Sequence, residues 1–466
     1  MKNSIKIIPF GLFLASHALI GCDQKAVDDL VVAKPTSVTT TAPTTATGKR
    51  YYVSDASGSD ANTGLSSTAP FKTINAGQNA ALPGDTVFIM NGSYVPATTI
   101  QLLKSGTADK YITYKAYPGH TPKFSFSGSL WNAISINASY IVLEGIEFQG
   151  NNQNLTYNGA LASFNDKQAG GTNNDLYATY NMNGISIGGP RTESKFPHHV
   201  VIRNCSVHDF PGGGLNAIQT DYVTFEGNAV YNNAWYMMYG GSGISILTPF
   251  DSDANTGYKN IVRNNSCFNN KTTIPWIGLT PARLSDGNGI IIDVNVRPYG
   301  STATDKPYNG RTLVENNLSV NNGGSGIHAY EAAHVDIINN TTYNNAQIMV
   351  DYADLYANTC NDVKIMNNVI YAKPGGKCNS NNKNTNVTYD YNIYFNGSTA
   401  VKGSNDKVVD PQFVNLTTDR TMANFSLKSG SPAINAGTQT IYSKTDIKGV
   451  ARPKGGAVDC GAYEVQ

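Results

Sequence analysis

What this sequence has little of is charge. Lys, Arg, Asp and Glu make up 14% of its 466 residues, against roughly one-quarter in most globular chains, and the formal net charge is +1. No basic stripe gathers along it, which excludes nucleic acid as a partner on electrostatic grounds. Cysteine is sparse as well. After Cys22 come Cys205, Cys267, Cys360, Cys378 and Cys460, an odd set that excludes complete pairing and leaves at least one thiol. Cys360 and Cys378 flank one short excursion and are the candidate disulfide of an exported chain. Apolar runs long enough to cross a bilayer are also missing, since Ile7 to Ile20 falls short of a normal span. In place of charge stand 45 Gly, 27 Tyr and an excess of Asn and Thr. Asn and Gly tolerate positive φ, and Thr and Tyr favour strands, so the composition suits turns and β-structure. Apolar and aromatic residues, 40% of the chain, suffice for a sizeable core.

The first segment reads as a targeting signal. Lys2 and Lys6 precede the short apolar run, and Leu19-Ile20-Gly21-Cys22 resembles a bacterial lipobox, in which the cysteine is lipid-modified. The expected organisation is a lipoprotein signal peptide over 1–22, with lipidation at Cys22, and a Thr/Pro-rich tether over 23–49 containing VTTTAPTTATG. A folded domain over 50–466 completes it. Export follows from this, with a lipid anchor at the membrane, facing the periplasm or the cell surface, or release as a secreted protein.

From residue 200 onward the chain repeats. VVIRNCSVHDF, VTFEGNAVYNN, NIVRNNSCFNN, TLVENNLSVNN and VDIINNTTYNN share an alternating apolar core followed by Asn or Gly, and VKIMNNVIYA continues the series. The steps from Val200 to Val223 and from Thr312 to Val335 are both 23 residues. Such a period with short strands is one coil of a parallel β-solenoid, and recurrent Asn at its turns suits a stacked amide ladder. A second register aligns on glycine: GISIGG from Gly184, GLNAIQ from Gly214, GISILT from Gly243, GIIIDV from Gly289 and GIHAYE from Gly326, with QIMVDY from Gln347 expected to extend it. Lys72 to Ala81 reads as a short amphipathic helix, ended by Pro83-Gly84-Asp85 ahead of the strand TVFIM.

These features resemble the right-handed parallel β-helix proteins of the pectate lyase type. The opening YYVS…PFKTI…PGDTV (Tyr51–Val87), the closing SPAINAG (Ser431–Gly437) and CGAYE (Cys460–Glu464) are similar to the secreted members of that group. The resemblance implies an all-β fold, a right-handed parallel β-helix whose short N-terminal helix caps the open end of the stack. It also implies a polysaccharide substrate, while the fold itself carries lyases, hydrolases, epimerases and adhesins. Calcium-dependent pectate lyases of this type use an Asp cluster and a lysine base. No lysine holds an outward position in the glycine register here, and the Tyr-Gly-Phe-Asp-Pro-His motif of alginate C5-epimerases is missing.

Alternate strand residues point outward, so each glycine-register coil presents its second and fourth residues. Early coils present Ser186, Asn216 or Ser245, whereas later ones present Asp293, His328, Tyr330 and, by continuation, Asp351. These four are the candidate catalytic residues. Loops on the same turns carry Trp235, Tyr239, Trp276, Arg283 and Asp286, and Arg297 follows Asp293. Trp235, Tyr239 and Trp276 are candidate sugar platforms, and Arg283 and Arg297 candidate partners for a substrate carboxylate. β-Elimination at a uronate needs a cation on the carboxylate, a base for the C5 proton and an acid for the leaving oxygen. His328 has the intrinsic pKa for the base and Tyr330 can serve as acid. A Ca²⁺ held by Asp286, Asp293 and Asp351 is the alternative cation. The expected function is thus a lyase on a pectate- or alginate-like polymer, acting as a monomer. Alternatives are a C5-epimerase, a glycoside hydrolase using Asp293 and Asp351 roughly 10 Å apart, or a non-catalytic carbohydrate-binding solenoid.

Overall fold

A computed structural model describes residues 48–188, 196–296 and 307–465. Residues 1–47, with Cys22 and most of the expected signal and tether, lie outside that set, as does Arg297. The described chain winds as a parallel β-helix whose coils each contribute a strand to three faces. The first face is an 11-stranded parallel sheet, and the second and third form one continuous 19-stranded sheet. They are joined because the long strand Val369–Asn379 turns the corner and pairs with both.

Inward residues stack on their own copies. On the third face Ile100, Ile134, Ile185, Leu215, Ile244, Ile290, Ile327 and Leu355 stand in register, all essentially buried. Each contributes about 1.5–3 kcal/mol of transfer free energy. This column explains why the glycine register reads Gly-Ile: the apolar residue belongs to the core.

The paired asparagines of the repeat divide two tasks between them. The first of each pair adopts the left-handed conformation that turns the chain, as at Asn264, Asn316, Asn339 and Asn367 with φ between 53° and 60°. The second enters an amide ladder. Along the corner after the first face, Asn228, Asn265, Asn317, Asn340, Asn368 and Asn392 each donate backbone N–H and Nδ2 to the Oδ1 of the next. Asn392 ends this ladder on Asp406. A second ladder of Asn233, Asn270, Asn322 and Asn345 follows the second face and ends on Asp354. Burial pushes the Asp354 carboxyl up to about 6.

Helix α1 (Ile74–Ala80) begins at Thr73, whose hydroxyl accepts from Ala76 N–H, and it covers the first coils through Ile74 and Gln78. Two helices absent from the sequence reading, α2 (Tyr157–Gln168) and α3 (Asn174–Asn181), fold within the 152–183 insertion. At the other end, the closing segments return along the corner turns. Left-handed Asn316, Asn339 and Asn367 spend their side-chain donors on Ser443, Asp459 and Thr438. Cys205, Cys267, Cys360, Cys378 and Cys460 are all free and buried, which corrects the Cys360–Cys378 expectation. They fill core positions as small apolar groups.

Candidate active site

The outward columns of the third face place the candidate residues. Asn216, Ser245, Ile291, His328 and Tyr356 form one column, and Ile218, Leu247, Asp293, Tyr330 and Asn358 the next. Asp293 and Tyr330 are thus direct neighbours across adjacent coils, with His328 one column away. Asp351 is not among them. The strand of that coil is Leu355–Asn358, not Gln347–Tyr352, because Leu355 is the residue that stacks on Ile327 in the core. Asp351 lies on the preceding loop, 97% exposed and 3.9 Å from the Lys377 ammonium. The pairing of Asp293 with Asp351 across two coils therefore falls away.

His328 is only 4% exposed. Its ring meets Tyr356 at 4.6 Å, Tyr352 at 5.3 Å and Tyr330 at 6.0 Å, each near perpendicular. Burial among these rings lowers its pKa to about 3, so the imidazole is neutral at physiological pH. Nδ1 lies 3.4 Å from Asn288 Oδ1, an oxygen that already accepts from Ser325 N–H, while Nε2 has no partner. A shielded, weakly basic imidazole suits positioning better than the proton abstraction expected of it.

Asp286 carries the stronger acid–base signature. It sits in the left-handed region (φ 65°) at the end of the 271–288 loop, directly ahead of the strand Ile290–Asp293. Two glycines let it lie there: a Cβ on Gly324 would meet the Asp286 carbonyl at 2.3 Å, and one on Gly240 its Oδ2 at 2.7 Å. That is a structural reason for the GSG at 324–326. Lost hydration pushes the Asp286 carboxyl up to about 6, opposed by a hydrogen bond from Ser285. Ser285 also bonds the Tyr352 hydroxyl, which feels the charges of Asp286 and Arg283. Asp286, Ser285, Arg283, Tyr352, Tyr356 and His328 therefore share one neighbourhood. Arg283 itself is exposed at its rim.

The expected aromatic platforms have other work. The Lys271 ammonium lies 4.2 Å from the centre of the Trp235 ring, whose Nε1 donates to Asn269 O. Tyr239 packs on Trp131 at 5.8 Å within a small apolar cluster that joins α2 and α3 to the 234–241 and 271–286 loops. Trp276 pairs through its backbone with Arg283 and lies against Gly278 and Gly240. The sequence reading missed Tyr352, Tyr356 and Asn288. Placing LYAN in the glycine register exposes Tyr356 as an outward residue. Among the described residues no group of three or more His, Cys, Asp or Glu is arranged to hold a metal ion. Asp286, Asp293 and Asp351 are thus not brought together to hold Ca²⁺. His334 pairs with Asp362 at 2.7 Å on the first face, and Glu331 turns the chain at φ 42°.

Comparison with known proteins agrees with this architecture. The family model described as "Pel9A-like, right handed beta helix region" matches residues 51–169. Pectate lyase Pel9A is similar in structure, with a TM-score of 0.52 and 18% identity, over 90% of this chain and 97% of that one. A rhamnogalacturonan lyase gives 0.44 and 18% over 79% and 91%. A stretch of 81 residues is 41% identical to the lacto-N-biosidase of Bifidobacterium longum subsp. longum, spanning 16% of this chain and only 5% of that protein. The chain carries a Pel9A-like right-handed β-helix region, and its fold is the pectate-lyase-like right-handed parallel β-helix.

Proposed function

We propose that this protein cleaves a glycosidic bond of a polysaccharide at the third face, around Asp286 and Asp293, and does so by hydrolysis. The observation that carries this reading is Asp286: a part-buried carboxyl pushed up to about 6, with Tyr352 and Arg283 beside it and Asp293 seven residues on at the far end of the next strand. A carboxylic acid that keeps its proton near neutrality is what a leaving glycosidic oxygen needs, and a second carboxylate supplies the base or nucleophile. Asp286 is assigned as proton donor and Asp293 as its partner. Tyr352 and Ser285 orient Asp286, and neutral His328 fixes the aromatic floor.

Elimination at a uronate is the second reading, favoured by the Pel9A-like region and by exposed Arg283 as a counter-charge for a carboxylate. Its weak point is the base, because His328 is shielded and holds a proton only in strong acid. Incubation with neutral and acidic glycans separates the two. Hydrolysis releases reducing ends without ultraviolet absorbance, whereas elimination releases an absorbing unsaturated uronate. Absorbing product would sink the hydrolytic assignment, and absence of cleavage on a broad panel would sink both.

A further inference from the structure

The approach to Asp293 along the third face is built without charge. Its strands run IQL, NAISI, NGISI, LNAI, ISIL, IIID, IHAY and LYAN, and Asp293 is the single charged residue in them. What points outward instead falls into two adjacent strips. Ser135, Ser186, Asn216 and Ser245 form a strip of hydroxyls and an amide. Ile218 and Leu247 form an aliphatic strip that leads directly to Asp293. Ser135, Ser245, Ile218 and Leu247 are half-exposed, while Ser186 and Asn216 form a nearly closed floor. The Asn216 Nδ2 has no hydrogen-bond partner within the protein.

We infer that this strip is the substrate cleft and that it takes a neutral oligosaccharide, one of hexoses or N-acetylhexosamines, in preference to a polyuronate. The inference rests on the proposed site at Asp286 and Asp293 and names the substrate class of that site. A pyranose ring has an apolar C–H face and a rim of hydroxyls, which the aliphatic and hydroxyl strips match side by side. A polyuronate laid on the same strip would strip water from a carboxylate on successive sugars. Among the described residues, no Lys or Arg on these strands would replace that water, so each desolvated charge would go uncompensated. The cationic Arg283 stands at the rim, beside Tyr352, rather than along the approach.

The test is titration calorimetry and product analysis on the same panel: neutral hexose and N-acetylhexosamine oligosaccharides, polygalacturonate and alginate, each at low and high salt. Expected is binding of a neutral oligosaccharide with little salt dependence, weakened on the order of tenfold by Ser245→Ala and further by Ser245→Lys. Near-ultraviolet circular dichroism checks that both variants keep the fold. A neutral oligosaccharide bound but left uncleaved upholds the inference and fails the hydrolytic reading. Polygalacturonate or alginate cleaved in preference to every neutral glycan overturns the inference while leaving cleavage at this face intact. Retention of no glycan, or unchanged affinity in Ser245→Lys, overturns it as well.

Discussion

The first and third faces wind on the same apolar core yet treat their outer surfaces in opposite ways. On the first face, Lys115, Glu144, Arg203, Glu226, Arg263 and Glu315 occupy one register column and alternate in sign from coil to coil. Arg203 meets Glu144 at 2.9 Å and Arg263 meets Glu226 at 3.1 Å. Farther along, Arg311 grips Asp336 through two nitrogens, at 2.8 and 2.7 Å, and Asp362 at 2.8 Å. These outward charges are paired between coils. The third-face strands from Ile100 to Asn358 carry no Lys or Arg among the described residues, and the perturbed groups beside them, Asp286 and His328, are shifted by lost hydration. Paired charges on a coil surface speak for stability, and a desolvated acid beside a neutral cleft speaks for chemistry.

Substitutions on the two faces should therefore separate activity from stability. The largest effect is expected from Asp286→Asn, with glycan cleavage falling on the order of a hundredfold or more. In the parent enzyme the donor is protonated below its raised pKa, so activity should decline as pH rises through about 6. The variant should lose that limb, with a melting temperature at pH 8 equal to or above the parent's, because the desolvated charge is gone. On the first face, Arg311→Met leaves Asp336, 1% exposed, without its guanidinium. Denaturant unfolding should register a loss of about 3 kcal/mol, while activity per folded molecule stays near the parent value. Asn317→Ala removes the acceptor for both donors of Asn265 inside the ladder and should cost about 2 kcal/mol by the same measurement.

Acid should weaken the first face through Asp362. Hydrogen bonding to Arg311 holds the Asp362 carboxyl below its usual range. Its stabilising contribution is full above the ordinary Asp value and drains as pH falls through the depressed one. The melting temperature should fall less between pH 5 and about pH 3 in Asp362→Asn than in the parent. Smallest of all, Arg203→Ala at the half-exposed pair with Glu144 should cost about 0.5 kcal/mol. A large activity loss there would break the division between faces.

Much of this division is written in the repeats. Alternation and the Asn-Asn pairs reveal the coil, its corners and its inward residues, because every coil solves the same packing problem with the same residue types. Asp293, His328 and Tyr330 were locatable for that reason. Where the repetition lapses, so does legibility. QIMVDY imitates the glycine register by spacing alone, and only the stacking of Leu355 on Ile327 shows that the next strand begins later and that Tyr356, not Met349, follows His328. The shielding of His328 depends on rings from its own coil and the next, and on the loop between them, which no local pattern records. Helices α2 and α3 escaped because YNGALASFNDKQ carries Gly159 and Asn165 in its interior and relies on Thr156 and Asn173 as caps and on packing against neighbouring loops.

The amide ladders have a direction. Every asparagine gives two hydrogens to the oxygen ahead of it, so the series needs a terminus that accepts without giving, and Asp354 and Asp406 meet that need. The carboxylates act as end stops on a one-way track. A new coil carrying its own Asn can be spliced in anywhere upstream of a stop, because it receives from the coil behind and gives to the coil ahead. Beyond the stop, the same coil would find no amide to receive. Each ladder is therefore free to lengthen from within, while its C-terminal end is set by an aspartate, Asp354 in one and Asp406 in the other.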